Sequence, residues 1–202
     1  MLAAALALGH ASSQAQAADV LHKMSAANAT VRSYQVRIHF DAKVRAFISL
    51  PLALDATYYF KRPDKAQVKF DTVPILARKF KEFYASTGTP ATWPKDYVVT
   101  LVAQPSTGSN TVVLKLVPKT GGSLDYALMT VDTNTYGIVG QQWLYDDGST
   151  IDVSQENEVG ARYVLPKHQV AEFSFPRYKA HIVADFGAYQ INVPIPDSVF
   201  TK

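Results

Sequence analysis

The sequence contains no cysteine, so it forms no disulfide and has no thiolate for a metal site. Charged residues make up only 18% of it, and a scattered net charge of +3 is too small to favour nucleic-acid binding. It also lacks a phosphate-cradling glycine loop and any apolar run long enough to span a bilayer. What it has is 48% apolar residues, among them 11 tyrosines and 10 phenylalanines, which favours a β-rich globular domain.

The first residues have the pattern of a secretory signal. An apolar core over Leu2–Leu8 precedes small and polar residues that end at Ala15-Gln16-Ala17, an A-x-A cleavage site. We therefore expect residues 1–17 to be a signal peptide, and residues 18–202 to form one soluble, exported domain in the periplasm. No Lys or Arg precedes the apolar core, so we expect the signal to be truncated at its start. The alternative is an alanine-rich helix that belongs to the fold.

Alternation of apolar and polar residues over Leu54–Phe70 predicts a β-hairpin with one buried face. The apolar residues keep even numbers on both sides of the segment Arg62–Lys65, whose proline and aspartate suit a turn. The same parity holds over Tyr34–Leu50, up to Pro51. This run predicts either one very long bent strand or two strands joined near Asp41-Ala42.

Two helices are expected to accompany the strands. Asp19 can cap a short N-terminal helix with one apolar stripe, which should lie on a sheet. A second amphipathic pattern lies between Val73 and Pro94, and short strands joined by tight turns follow it. We predict a mainly β (α+β) fold, in which a curved antiparallel sheet forms an incomplete β-barrel covered by the N-terminal helix and the inserted amphipathic helix.

The polar residues show no catalytic or metal-binding pattern. The five histidines are far apart and have no metal-ligand spacing. Asp146-Asp147 precedes Gly148 and is therefore typical of a turn rather than of an acid/base pair, and Glu156 and Glu158 are expected in a polar loop. We predict no catalytic residue, no metal site and no cofactor, and we do not expect an enzyme.

Two segments resemble a known family. The hairpin Tyr58–Phe70, Y-x-F-K-R-P-D-K-A-Q-V-K-F, and the closing stretch Asn192–Phe200, N-x-x-I-P-D-x-x-F, are similar to segments of the bacterial lipoprotein carrier superfamily. This superfamily includes LolA, its outer-membrane acceptor LolB, and the N-terminal domain of periplasmic sigma-E regulators. The resemblance implies an incomplete β-barrel that holds acyl chains in an apolar cavity without covalent bonds.

From the residues and the resemblance together we predict a non-catalytic periplasmic carrier or binder of a lipid or acylated ligand, either a lipoprotein or a free lipid. The even-numbered apolar residues would form the wall of the cavity: Val36, Ile38, Phe40, Tyr58, Phe60, Val68 and Phe70. Leu76, Phe80 and Phe83 of the inserted helix would form a lid. The alternative is that these side chains fill a solid core, which the helix merely covers.

The partners that this hypothesis implies are a lipid or acyl chain, an inner-membrane donor, an outer-membrane acceptor and a transient contact with the membrane surface. No nucleic acid is expected. The alternative function is that of a periplasmic sensor domain that binds a membrane-anchored protein partner.

Overall fold

The structure is a computed structural model that describes residues 2–46, 49–71, 89–103 and 110–201, with the side chains of α1 described from Ser13 onward. Within these ranges the chain forms two α-helices, eleven strands and a final 3-10 turn at Asp197–Val199. The helices are α1 (Leu2–Ala27) and α2 (Trp93–Asp96). The strands are β1 (Ser33–Arg45), β2 (Ser49–Lys61), β3 (Lys65–Phe70), β4 (Tyr97–Ala103), β5 (Thr111–Pro118), β6 (Leu124–Asp132), β7 (Ile138–Tyr145), β8 (Thr150–Gly160), β9 (Tyr163–Phe175), β10 (Tyr178–Phe186) and β11 (Gln190–Ile191).

All described strands belong to one antiparallel sheet. Its order is β3-β2-β1-β10-β9-β8-β7-β6-β5-β4, and β11 pairs with the first residues of β1. The sheet is curved and does not close on itself, because the described parts of β3 and β4 each have one neighbour only. The predicted fold class, a mainly β incomplete barrel covered by an N-terminal helix, is confirmed. Most of the inserted amphipathic helix predicted between Val73 and Pro94 lies outside the described residues.

The run Tyr34–Leu50 is two strands, but the prediction placed their junction wrongly. β1 ends at Arg45 and β2 begins at Ser49, while Asp41 and Ala42 pair with β2 in the middle of the ladder. The alternation keeps its parity from β1 into β2, so it could not show where one strand ends and the next begins. Pro51 does not end the run either. It lies within β2, beyond the stretch of β2 that pairs with β3, where a missing backbone N–H is tolerated.

The second hairpin has the predicted form. Lys61 pairs with Lys65, and Tyr58 pairs with Val68 on the buried face. The turn consists of Arg62–Asp64. Register and parity therefore agree with the sequence pattern over the whole of β2–β3.

The predicted polar loop at Glu156 and Glu158 is wrong. Both residues lie in β8, which runs on to Gly160 and pairs with β9 as far as Tyr163. A bulge between Glu156 and Asn157 shifts the register there. The extra residue is Lys167 of β9, so β8 keeps its alternation. Its inward positions carry the polar Gln155 and Asn157, which is why this part of the strand did not show the expected apolar pattern.

Helix α1 lies on the buried, concave face of the sheet and contacts β4. Its buried stripe, Ala17, Val20, Leu21 and Met24, has the spacing of one helical face and joins the same apolar cluster as the strands. Asp19 does not cap the helix as expected. It lies inside α1 and pairs with Lys23 at 2.8 Å, four residues on. Cleavage after Ala17 stays a prediction.

Candidate functional site

A half-open cavity of about 480 Å³ lies between the concave face of the sheet and the end of α1. Its lining comes from elements that are distant in the sequence: α1 and the residues after it, β1 and β2, the β2–β3 turn, residues 89–92, the β6–β7 turn, and strands β7 to β10. Pockets that hold drug-sized ligands run from about 300 to 1,000 Å³. The cavity therefore has the size for one small amphiphile or acyl chain.

One wall of the cavity is aromatic. The ring of Tyr34 stacks on Tyr58 at a centroid distance of 5.8 Å and on Phe60 at 5.1 Å. Tyr189 meets Tyr34 edge to face at 5.4 Å and donates its hydroxyl hydrogen to the carbonyl of Pro166. Burial raises the pKa of Tyr58 to about 12 and that of Tyr34 well above its usual value, so both rings are neutral at physiological pH.

The predicted cavity residues divide into two groups. Tyr58 and Phe60 line the cavity. Val36, Ile38, Phe40 and Val68 are almost fully buried in the apolar core, and Phe70 packs against Phe40 at a ring distance of 5.7 Å. The concave face is thus a filled core along part of its length and a cavity along the rest. The predicted lid residues, Leu76, Phe80 and Phe83, lie outside the described residues.

The end of α1 is fixed to the sheet by two side chains. Asn28 bonds the main chain of Val164 in β9 twice: its Nδ2 donates to the carbonyl at 3.1 Å, and its Oδ1 accepts from the amide at 2.9 Å. Arg62 of the β2–β3 turn donates from Nε to the carbonyl of Val31 at 2.7 Å and from Nη2 to that of Asn28 at 2.8 Å. These bonds hold the chain after α1 across one end of the cavity.

The cavity is also lined by side-chain amides from β8 and β9. Gln169, buried in β9, donates to Gln155 Oε1 at 2.6 Å, and Gln155 donates to Asn157 Oδ1 at 2.7 Å. Gln155 and Asn157 both donate to the carbonyl of Ile138, at 2.9 and 2.8 Å. Hydrogen bonding of this kind is what makes buried amides tolerable next to apolar side chains.

A fourth amide, Gln141 of β7, lies on the same cavity wall. Its Oε1 is buried and has no hydrogen-bond partner among the described residues. Sequence analysis missed all four amides. The available signal was that Gln155 and Gln169 stand two residues from Val153 and Ala171, in positions where alternation calls for apolar side chains.

The two segments that carry the family resemblance are in contact. Lys61 Nζ donates to Asp197 Oδ1 at 2.8 Å and to the carbonyl of Ile195 at 3.2 Å. Ser33 Oγ donates to the carbonyl of Val193 at 2.6 Å. The N–H of Asn192 donates to the carbonyl of Ser33, and Asn192 has a left-handed φ of 59°. The closing stretch therefore packs beside the K-R-P turn at the start of β1.

Among the described residues, the convex face holds three hydrogen-bonded histidine–carboxylate pairs. His39 bonds Asp55 at 2.9 Å, and the other two pairs are His168–Asp185 and His181–Glu172. The hydrogen bond that His39 makes to Asp55 raises the pKa of His39. Among the described residues no group of three potential ligands could hold a metal ion. None of the helices in this part of the chain is both long enough and apolar enough to cross a membrane.

Comparison with known proteins rests on the fold. No family model matches the sequence, and no curated protein matches it. A DUF1329 family protein from Desulfovibrio piger is similar in structure, with a TM-score of 0.68, 12% identity, and coverage of 94% of this chain and 97% of that one. A LolA superfamily protein from Nitrosomonas europaea has a TM-score of 0.61 and 14% identity over 92% and 97% of the two chains.

A third similar structure is a domain from Vibrio parahaemolyticus assigned to outer-membrane lipoprotein sorting. Its TM-score is 0.64 at 10% identity, over 90% of this chain and 94% of that one. The chain has a LolA/LolB-like fold, which confirms the resemblance found in the sequence.

Proposed function

We propose that the protein is an exported, non-catalytic carrier or binder of a lipid or acylated ligand, and that the ligand's acyl chain occupies the half-open cavity. The observation that carries this proposal is the cavity itself. It lies on the concave face, between the aromatic wall of Tyr34, Tyr58 and Phe60 and the end of α1. A carrier of this kind works in the periplasm, takes its ligand from an inner-membrane donor and delivers it to an outer-membrane acceptor.

The energetics suit reversible binding. Each buried methylene contributes about 0.8 kcal/mol, so roughly ten methylenes contribute about 8 kcal/mol. Association costs at least about 4 kcal/mol in lost translational and rotational freedom. A chain of this length therefore binds weakly through apolar contact alone, and polar contacts are needed to give selectivity. Weak, reversible binding is what a carrier requires in order to release its cargo.

The experiment that tests the proposal has two parts. Protein purified from cells is examined by native mass spectrometry and solvent extraction, and a fluorescent fatty acid is titrated into delipidated protein. We expect a co-purified lipid and saturable binding. Absence of both would overturn the proposal, and capture of a membrane-anchored protein instead would favour the sensor hypothesis.

A matched pair of variants tests whether the fatty acid binds in the cavity. Ser25 lines the cavity on α1, whereas its neighbour Ala26 is exposed on the same helix. Ser25→Trp should fill part of the cavity and weaken fatty-acid binding about tenfold or more. This is the effect expected if the ligand buries roughly two fewer methylenes. Ala26→Trp should bind as the wild type does. Equal binding by the two variants would place the ligand elsewhere.

A further inference from the structure

Gln141 is a polar side chain of the cavity wall whose direct neighbours in the sheet are apolar. In the sheet it stands between Met129 of β6 and Val153 of β8, its direct partners in register. Met129 is fully buried and Val153 is 6% exposed. An apolar side chain would suit these neighbours better, so the amide at this position has to be explained by what it contacts.

Within the described part of the chain, Gln141 Oε1 is buried without a hydrogen-bond partner. The nearby amides differ from it, because Gln155 Oε1 accepts from Gln169 and Asn157 Oδ1 accepts from Gln155. A carbonyl oxygen only accepts hydrogen bonds, so its partner has to be a donor. An acyl chain that fills the cavity supplies no such donor, so the oxygen stays unsatisfied unless the ligand brings a donor of its own.

We infer that the cavity selects acyl ligands that carry a hydrogen-bond donor, a hydroxyl or an amide N–H, beside the acyl chain, and that Gln141 Oε1 accepts from this donor. The inference rests on the proposed function and specifies its ligand class. The aromatic wall binds the chain, and Gln141 distinguishes between ligands of equal chain length. A site built to bond a polar group rejects the analogue that lacks it, because its own buried group is then left unpaired.

The test uses probe pairs that differ only in the donor. Dodecanamide and methyl dodecanoate share a chain and a carbonyl, but only the amide donates. α-Hydroxydodecanoate and dodecanoate form the corresponding pair for a hydroxyl donor. Affinities are measured by displacement of a fluorescent fatty acid from the full chain. We expect the donor-bearing member of at least one pair to bind about tenfold more tightly, and the pair that shows the difference identifies the donor.

Two variants on β7 assign the effect to Gln141. Gln141→Leu should reduce the preference to less than about twofold while binding methyl dodecanoate at least as well as the wild type does. Gln142→Leu is the matched control. Gln142 is the next residue on the strand and does not line the cavity, since its amide bonds Asp152 at 2.7 Å. This variant should keep the wild-type preference, and circular dichroism should show that both variants fold.

The outcomes separate the two hypotheses. Binding of all probes with equal affinity within each pair, or a preference that survives Gln141→Leu, would overturn this inference and leave the carrier proposal standing. Failure of every probe to bind would overturn the carrier proposal and the inference with it. Loss of the preference in Gln141→Leu alone supports both.

Discussion

Lys61 Nζ lies 2.8 Å from Asp197 Oδ1, which joins the K-R-P turn of the β2–β3 hairpin to the closing stretch of the chain. Lys65, the first residue of β3, reaches the same oxygen at 3.1 Å. The carboxylate thus bridges both strands of the hairpin from a segment that is more than a hundred residues away in sequence. The two patterns that revealed the family resemblance are one structural unit.

This unit should make stability depend on pH. The bonds from Lys61 and then Lys65 lower the pKa of Asp197 below its ordinary value of 3.8. A lowered pKa means that the ionised carboxylate stabilises the fold above pH 4 and that this contribution is lost as the pH falls through the lower pKa of the folded state.

We therefore expect Asp197→Asn to lower the urea midpoint slightly at pH 7, since the pair is exposed, and to differ less from the wild type at pH 3. Urea denaturation at both values checks this. Asp64→Asn, an exposed aspartate in the same turn, is the control and should show no such change. The interpretation would be contradicted if the urea midpoints of Asp197→Asn and the wild type differed as much at pH 3 as at pH 7.

Arg62 should stabilise the end of α1 in a way that lysine cannot replace. Its guanidinium bonds two carbonyls at once, those of Val31 and Asn28. A lysine ammonium is a point donor without this planar fork. Arg62→Lys should therefore lower the free energy of unfolding by about 1 kcal/mol and speed hydrogen exchange at Val31. Arg32→Lys, an exposed arginine nearby, should leave both measurements at the wild-type values.

Gly137 is required for the close approach of the β6–β7 turn to β9. A Cβ at this position would lie 2.5 Å from Val164 Cγ1 and 2.8 Å from Asn157 Nδ2. Gly137→Ala should lower the free energy of unfolding by about 1 to 3 kcal/mol, as overpacking does, and should weaken ligand binding because both neighbours line the cavity. Gly121→Ala is the control, since nothing lies within 4 Å of its Cβ position. Equal stability of the two variants would show that the turn relaxes freely.

The aromatic wall should limit stability in alkali. Burial raises the pKa of Tyr58 to about 12, from an ordinary value of 10.0. The folded protein therefore holds this proton more tightly than the unfolded chain does, and the free energy of unfolding should fall as the pH rises from 10 to 12. The decrease due to one such group is at most about 1.4 kcal/mol per pH unit.

Tyr58→Phe removes the titrating hydroxyl and should flatten this decrease, while its difference from the wild type stays constant below pH 9. Chemical denaturation at several pH values gives the two profiles, and the absorbance of tyrosinate reports the ionisation directly. Parallel profiles up to pH 12 would show that Tyr58 is not the group responsible.

Alternation predicted the faces of the first strands well and their ends poorly. The parity of β2 and β3 gave the register of Tyr58 with Val68, because local turn chemistry fixed the hairpin. No glycine or proline occurs between Arg45 and Ser49, and the one sign of a break there was Phe47, an apolar residue at an odd position that interrupts the alternation. Pro51 was interpreted as the end of a strand. A proline is tolerated at this position because this stretch of β2 does not pair with β3, and the sequence does not show which stretches of a strand have a second neighbour.

The candidate site could be predicted only in part, because its position also depends on tertiary contacts. Parity placed Val36, Ile38 and Phe60 on one face, but it does not tell where along this face the cavity opens. That position is set by the end of α1 and by β7–β9, which reach the site from distant parts of the chain. The amides were missed because a glutamine in a strand resembles a solvent-facing residue until its neighbours are known.

The sheet order has a consequence for synthesis from the N-terminus. In the run from β4 to β10 each strand pairs with its neighbours in sequence within the run, but β1 joins this run only through β10, the second-last of the described strands. Until the ribosome has released Tyr178–Phe186, the described strands form two separate sheets, and β1 presents an unpaired edge. Hydrophobic hairpins in this condition are aggregation-prone. Such a nascent chain benefits from a holding chaperone until its last strands arrive, and a stop codon before residue 178 would leave two half-sheets rather than a shortened barrel.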